Sequence, residues 1–141
     1  QVMQYLGRIS QPLLDRLDLC AEVSPVDFEG LSSGRKGEST QTIRERVICA
    51  QDIQRERYKI EGIQFNGELS GAQIEKYCKM EKDARQLLKM AFQNMPFSAR
   101  AYHRILKVAR TIADMEATES IHRNHIAEAL SYRAFDKKYW N

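Results

Sequence analysis

The stretch SARAYHRILKVARTIADME, residues 98–116, decides the fold class. Tyr102, Ile105, Leu106, Ala109, Ile112 and Ala113 recur at intervals of three and four, which places them on one stripe of a long helix. Ser98 stands where a hydroxyl can accept one of the first free backbone N–H groups, so the helix starts there. Pro96 ends whatever helix precedes it.

The same pattern repeats outward in both directions. Upstream, Ala84, Leu87, Leu88, Ala91 and Phe92 predict an amphipathic helix over residues 81–94. Ser70 and Gln73 have the spacing of a capping box, and a short helix follows through Tyr77 and Cys78. Before it, a loop runs through Gly62, Asn66 and Gly67. Ser39 or Thr40 caps a further helix reaching about Tyr58, with Ile43, Val47 and Ala50 as its apolar stripe and Arg44, Glu45, Gln51, Arg55 and Glu56 on its wet side. Downstream, Ile126, Ala127, Ala129 and Leu130 predict a last helix within residues 123–134. Five helices with short connections and no internal repeat read as a small helical bundle, so the chain is mainly α.

The organisation changes before residue 40. Residues 24–39 carry three glycines, four serines and a proline among charges, the composition of a linker. In front of it, Val2, Tyr5, Leu6 and Ile9 have helical spacing, and Pro12 permits a helical turn through Leu13, Leu14 and Arg16. Leu17, Leu19, Ala21 and Val23 then alternate with Asp18, Cys20 and Glu22, as in a strand with one buried face. A lone strand has no ladder partner within this sequence, so residues 1–23 read as the tail of a sheet-containing core lying upstream of Gln1. The domain reading is therefore 1–23 core tail, 24–39 linker and 40–141 helical domain.

Composition sets the outer limits. The chain has 141 residues, 43% hydrophobic and 29% charged, with a net charge of +3. That suits one soluble domain, permits an acidic partner such as nucleic acid without demanding one, and leaves no apolar run long enough for a membrane span. Cys20, Cys49 and Cys78 are odd in number and far apart, which argues against a disulfide framework and fits a reducing cytoplasm.

Three runs carry a family resemblance: YLGRISQPLLDRLDL, SARAYHRILKVARTIADME and HIAEALSYRAFDKKYW. Together they resemble the C-terminal part of the magnesium chelatase-related AAA+ ATPases of the ComM/YifB type. The resemblance implies an α/β P-loop core upstream, with its last strand near residue 23, followed by a helical lid over residues 40–141. It further implies ATP and Mg²⁺ as cofactors of the full-length protein, a homo-oligomeric ring, and helicase or branch-migration work on DNA. No GxxxxGK[ST] and no acidic strand end occur in this chain, so both Walker elements are expected upstream of Gln1. This segment alone is expected neither to hold nucleotide tightly nor to hydrolyse it. Gln11 stands where the family more often has a small residue, a minor departure.

Two arginines are the candidate site residues. By pattern alone, Arg16 in LLDRLDL is a surface arginine paired with Asp15 or Asp18. The resemblance gives it another role, an arginine finger acting in trans on the γ-phosphate held by a neighbouring subunit, where a bidentate guanidinium suits the charge. Arg100 lies in the first turn of the helix capped by Ser98, where free N–H groups and the helix dipole favour an anion. By pattern it belongs to a solvated stripe with Arg104 and Lys107. The resemblance makes it sensor 2, contacting its own subunit's nucleotide, with Arg104 as the alternative.

Other features read more plainly. His122 and His125 have ligand spacing, but no third ligand is apparent, so capping and surface roles fit them and no metal site is expected. Tyr77, Tyr102, Tyr132, Tyr139 and Trp140 could stack on bases, though completing the core suits them better. Arg133, Lys137 and Lys138 read as a solvated helix end. A non-enzymatic helical adaptor for protein or nucleic acid is the rival to the ATPase reading, and a Walker A lysine encoded upstream would decide between them.

Overall fold

A computed structural model describes residues 16–21, 23–25, 28, 32, 34, 37–95 and 97–133. Among the described residues, five α-helices can be bounded, in chain order: α1 Thr40–Tyr58, α2 Gly71–Tyr77, α3 Lys82–Asn94, α4 Ala99–Met115 and α5 Arg123–Ser131. A 3-10 turn, Asn66–Glu68, lies between α1 and α2. The mainly α bundle expected from the sequence is what forms.

Local chemistry explains where the helices begin. Ser39 caps α1, its Oγ accepting the Thr42 N–H at 3.1 Å. Ser70 and Gln73 close a reciprocal capping box on α2, and Ser98 Oγ accepts the Ala101 N–H at 3.2 Å. Each bond satisfies a helix-start donor that would otherwise have no partner.

The core gathers around α4, which packs against α1, α2 and α5. Ile105, Leu106, Ala109 and Ala113 of α4 meet Ile74 of α2, Leu88 of α3 and Ile126 of α5. Two loops are stitched together beneath them: Ile121 N–H donates to Lys79 O at 2.8 Å, and Glu81 N–H donates to Ile121 O at 3.0 Å. This parallel bridge sets the entry points of α3 and α5.

α4 is buried on more than its apolar stripe. Asp114 is fully buried and accepts from Arg57 Nη1 at 2.9 Å and Nη2 at 2.5 Å, from Asn66 Nδ2 at 2.9 Å and from Arg110 Nε at 3.1 Å. Arg110, also fully buried, uses its other nitrogens to hold Glu119 O at 2.6 Å and Thr118 O at 2.5 Å. Tyr58 donates to Asn66 Oδ1 at 2.6 Å, and Gln54 accepts the Asn66 N–H at 2.9 Å. The chain leaves α4 through a paired C-terminal turn, Ala117 N–H to Asp114 O and Thr118 N–H to Ala113 O, with Ala117 at φ +54°. That conformation favours glycine, and the Arg110 bonds to the next two carbonyls hold the alanine in it.

Two expectations, on α1 and on Tyr102, need correction. Ile43 and Val47 of α1 are 43% and 42% exposed, and only Ala50, Gln54 and Tyr58 are buried on that helix. The bundle covers only the C-terminal half of α1, so the stripe continues past its packing partners. The strand expected over residues 17–23 finds no ladder among the described residues. Its Leu17, Leu19 and Val23 are exposed, because alternation alone cannot bury a face without neighbouring strands. Tyr102 is exposed, not core, standing edge-on to Phe92 at 5.7 Å.

The α1–α2 loop has its own anchor. Gly62, at φ +70°, turns the chain. Beside it the Glu61 carboxylate accepts from Lys76 Nζ at 2.6 Å, from Tyr77 OH, and from Gln73 Nε2 at 3.1 Å. The Lys76 bond first, then Tyr77 and Gln73, hold the Glu61 carboxyl down to about 2 from its ordinary 4.5. A pKa lowered by folding stabilises the native state above the unfolded value. The contribution is therefore full above about pH 4.5 and disappears as pH falls towards 2. Glu61→Gln should flatten that part of the melting-temperature profile between pH 5 and 2. An unchanged acid slope in the variant would mean Glu61 does not carry it.

Candidate functional site

The segment around Arg16 lies against the ends of two helices. Arg16 occupies a turn and is exposed. On its C-terminal side, Leu17 O accepts from Arg133 Nη1 at 2.6 Å, Asp18 forms an ion pair with Arg104, and Cys20 N–H donates to Tyr132 O at 3.1 Å. These contacts come from α4 (Arg104) and from the end of α5 (Tyr132 and Arg133). Among the described residues Arg16 has no ion pair, and the acid two positions on is taken by Arg104. Asp15, the other acid considered for Arg16, lies outside the described residues.

The sequence suggests a solvated, basic helix end for Arg133. It is instead 2% exposed, because its guanidinium turns inward to the Leu17 carbonyl. Lys137, Lys138, Tyr139 and Trp140 lie outside the described residues, as do Leu13 and Leu14.

The stripe of Arg100, Arg104 and Lys107 divides in the fold. Arg104 is committed to Asp18, and Lys107 Nζ donates to Gly67 O at 2.8 Å. Arg100 is exposed in the first turn of α4, a turn with no acidic residue. Basic charge there adds to the anion-attracting end of the helix. The N-terminal turn of α4 thus fits a phosphate group. Among the described residues, no cluster of three or more His, Cys, Asp or Glu could hold a metal ion.

The histidines cap. His122 N–H donates to His125 Nδ1 at 3.0 Å, which places the ring proton on Nε2, facing Glu116 Oε2 at 2.9 Å. The two rings stack with centroids 5.2 Å apart. Tyr77 packs edge-on against Tyr58 at 5.1 Å, and Tyr132 donates to Glu128 Oε1 at 3.0 Å. Cys49 and Cys78 are free thiols, and burial pushes Cys78 up to about 11, leaving it a packing residue.

The arrangement defines a class: a helical domain that clamps a short arginine-bearing turn beside a helix starting with a second exposed arginine. Residues 37–133 match the family model described as magnesium chelatase, subunit ChlI C-terminal, and the chain belongs to that family. It is 43% identical over 139 residues to YifB of Salmonella typhimurium, covering 97% of this chain and 26% of that protein. It is 42% identical over 135 residues to the competence protein ComM of Haemophilus influenzae, covering 95% of this chain and 26% of that protein. Escherichia coli YifB is 39% identical over 139 residues, again 97% of this chain and 26% of that protein. The chain thus spans about a quarter of the length of these relatives. Among the described residues no helix is long and apolar enough to cross a membrane.

Proposed function

We propose that residues 40–141 are the lid, residues 24–39 the linker and residues 1–23 the core tail of a ring-forming AAA+ ATPase that remodels DNA. Arg16 acts in trans as its arginine finger and Arg100 as its sensor 2. The observation that carries this reading is an exposed arginine on a turn clamped to the same helix whose first turn presents a second exposed arginine. An arginine that must reach another subunit's phosphate needs a fixed mount and an accessible head; Arg16 is exposed, and the residues that follow it are anchored to two helix ends. ATP and Mg²⁺ would be held mainly by the part of the protein carrying the phosphate-binding loop. Arg100 would add a donor to the phosphates at the start of α4, coupling the position of the helical domain to nucleotide. Kinship with a competence protein favours DNA as the object of the work.

Removing a hydrogen bond to a charged group costs about 1.5–3 kcal/mol, or roughly 10- to 100-fold in affinity. Arg100→Ala in the full-length protein should weaken ATP binding by that amount, measured with a fluorescent analogue. Unchanged affinity together with unchanged hydrolysis would remove Arg100 from the site and favour the adaptor reading.

A further inference from the structure

We infer that Asp18 is a positioning residue for Arg16: its ion pair with Arg104 ties the Arg16 turn to α4, so that Arg16 and Arg100 move with one helix. The inference rests on the proposed reading of Arg16 as the finger.

The clamp can be read contact by contact. Two anchors run to the end of α5, from Leu17 O and Cys20 N. Asp18 sits between them and reaches the other helix, through Arg104. Arg16 immediately precedes these three anchors, so fixing residues 17–20 against both helices limits where its backbone can go.

Apolar seating contributes little. Leu17 and Leu19 are 44% and 54% exposed, and a cavity of about 310 Å³ opens beside Leu19, lined by Val108, Ile112, Met115 and Tyr132 among others. A segment that crosses an open groove with its leucines half exposed depends on its polar contacts for its position. The Asp18 side chain is 63% exposed, so salt screens this tie more than it screens the bond from buried Arg133.

The assignment also separates Arg104 from Arg100. A guanidinium committed to Asp18 is a strut, and Arg100 is the group left to meet phosphate. A nucleotide contact and a strut differ kinetically. Loss of the first raises KM, whereas loss of the second misplaces the finger and lowers kcat.

The test uses the full-length protein, with ATP as substrate and brief trypsin treatment followed by mass analysis of cleavage after Arg16. Asp18→Asn should lower kcat by about 10- to 100-fold, the range expected of a small misplacement, with KM for ATP unchanged. It should also speed cleavage at the Arg16–Leu17 bond severalfold. The charge-exchanged pair Asp18→Arg with Arg104→Asp should restore both, which a nucleotide contact at Arg104 could not do. Unchanged cleavage in Asp18→Asn, or a raised KM with kcat intact, would overturn the inference. If Arg16→Ala keeps full activity, the finger reading falls instead. The cleavage rates then still decide whether Asp18 holds the turn.

Discussion

Alanine at position 16 should slow ATP hydrolysis by the full-length protein about 1,000-fold or more and leave nucleotide affinity nearly unchanged. The γ-phosphate spreads charge over its oxygens as it is transferred, and a guanidinium placed there acts on the transition state more than on the bound nucleotide. The proposed role fits an Arg16 that is exposed, without an ion pair among the described residues, and next to a three-point clamp. Arg16→Lys should recover little, because a point charge on a flexible stem does not reproduce a planar two-donor fork. Steady-state hydrolysis measured beside equilibrium nucleotide binding checks the claim. A matched fall in affinity would instead mark Arg16 as a ground-state contact.

Asp114→Ala should give the largest loss of stability in the helical domain. One carboxylate serves two guanidiniums there: Arg110 is fully buried, and the Arg57 side chain is 18% exposed. Burial works against the Arg57 charge, but its hydrogen bonds to Asp114, with a smaller contribution from Tyr58, more than offset it and raise its pKa; burial outweighs the pairing at Arg110 and lowers its pKa. Deleting the carboxylate strands one fully buried and one partly buried cation and leaves the Asn66 amide short of an acceptor. Breaking a buried pair in this way costs about 3–5 kcal/mol. For a domain of this size that lowers the melting temperature by at least roughly 12 °C. Thermal and urea unfolding of this chain would measure it. A loss below about 1 kcal/mol would show that water enters and solvates the freed charges.

What the sequence revealed follows the range of the interactions involved. Ser39, Ser70 and Ser98 announce their helices because a cap is made within three residues, and all three form as read. Leu106, Ala109 and Ala113 were legible as core because their periodicity is local. Arg110 and Asp114 were not, although they are four apart and lie next to the stripe positions Ala109 and Ala113. Their burial depends on α4 being covered from several sides, and their charges are balanced by Arg57, which is far away in sequence. Ile43 and Val47 show the converse case. Helical periodicity identifies a face able to be buried, and the neighbours decide how far along the helix burial extends.

The candidate site divides in the same way. Arg16 and Arg100 could be picked out from residue type, a leucine frame and a helix start, sharpened by a family resemblance. The pairs that arrange them could not. Arg104 meets Asp18 across 86 positions and Arg133 meets Leu17 across 116, and neither pair leaves a mark in local pattern. Arg133 read as a wet helix end because basic residues there are common; its inward turn depends on a carbonyl supplied from the far end of the chain.

The central claim is that Arg16 serves a neighbouring subunit, and hydrolysis by mixed assemblies tests it most directly. Full-length subunits carrying Arg16→Ala would be mixed with subunits lacking the Walker A lysine, each inactive alone. A finger acting in trans predicts recovered ATP hydrolysis in the mixture, because an intact nucleotide site then meets an intact Arg16 across the interface. Mixtures that assemble yet stay as inactive as either parent would contradict it.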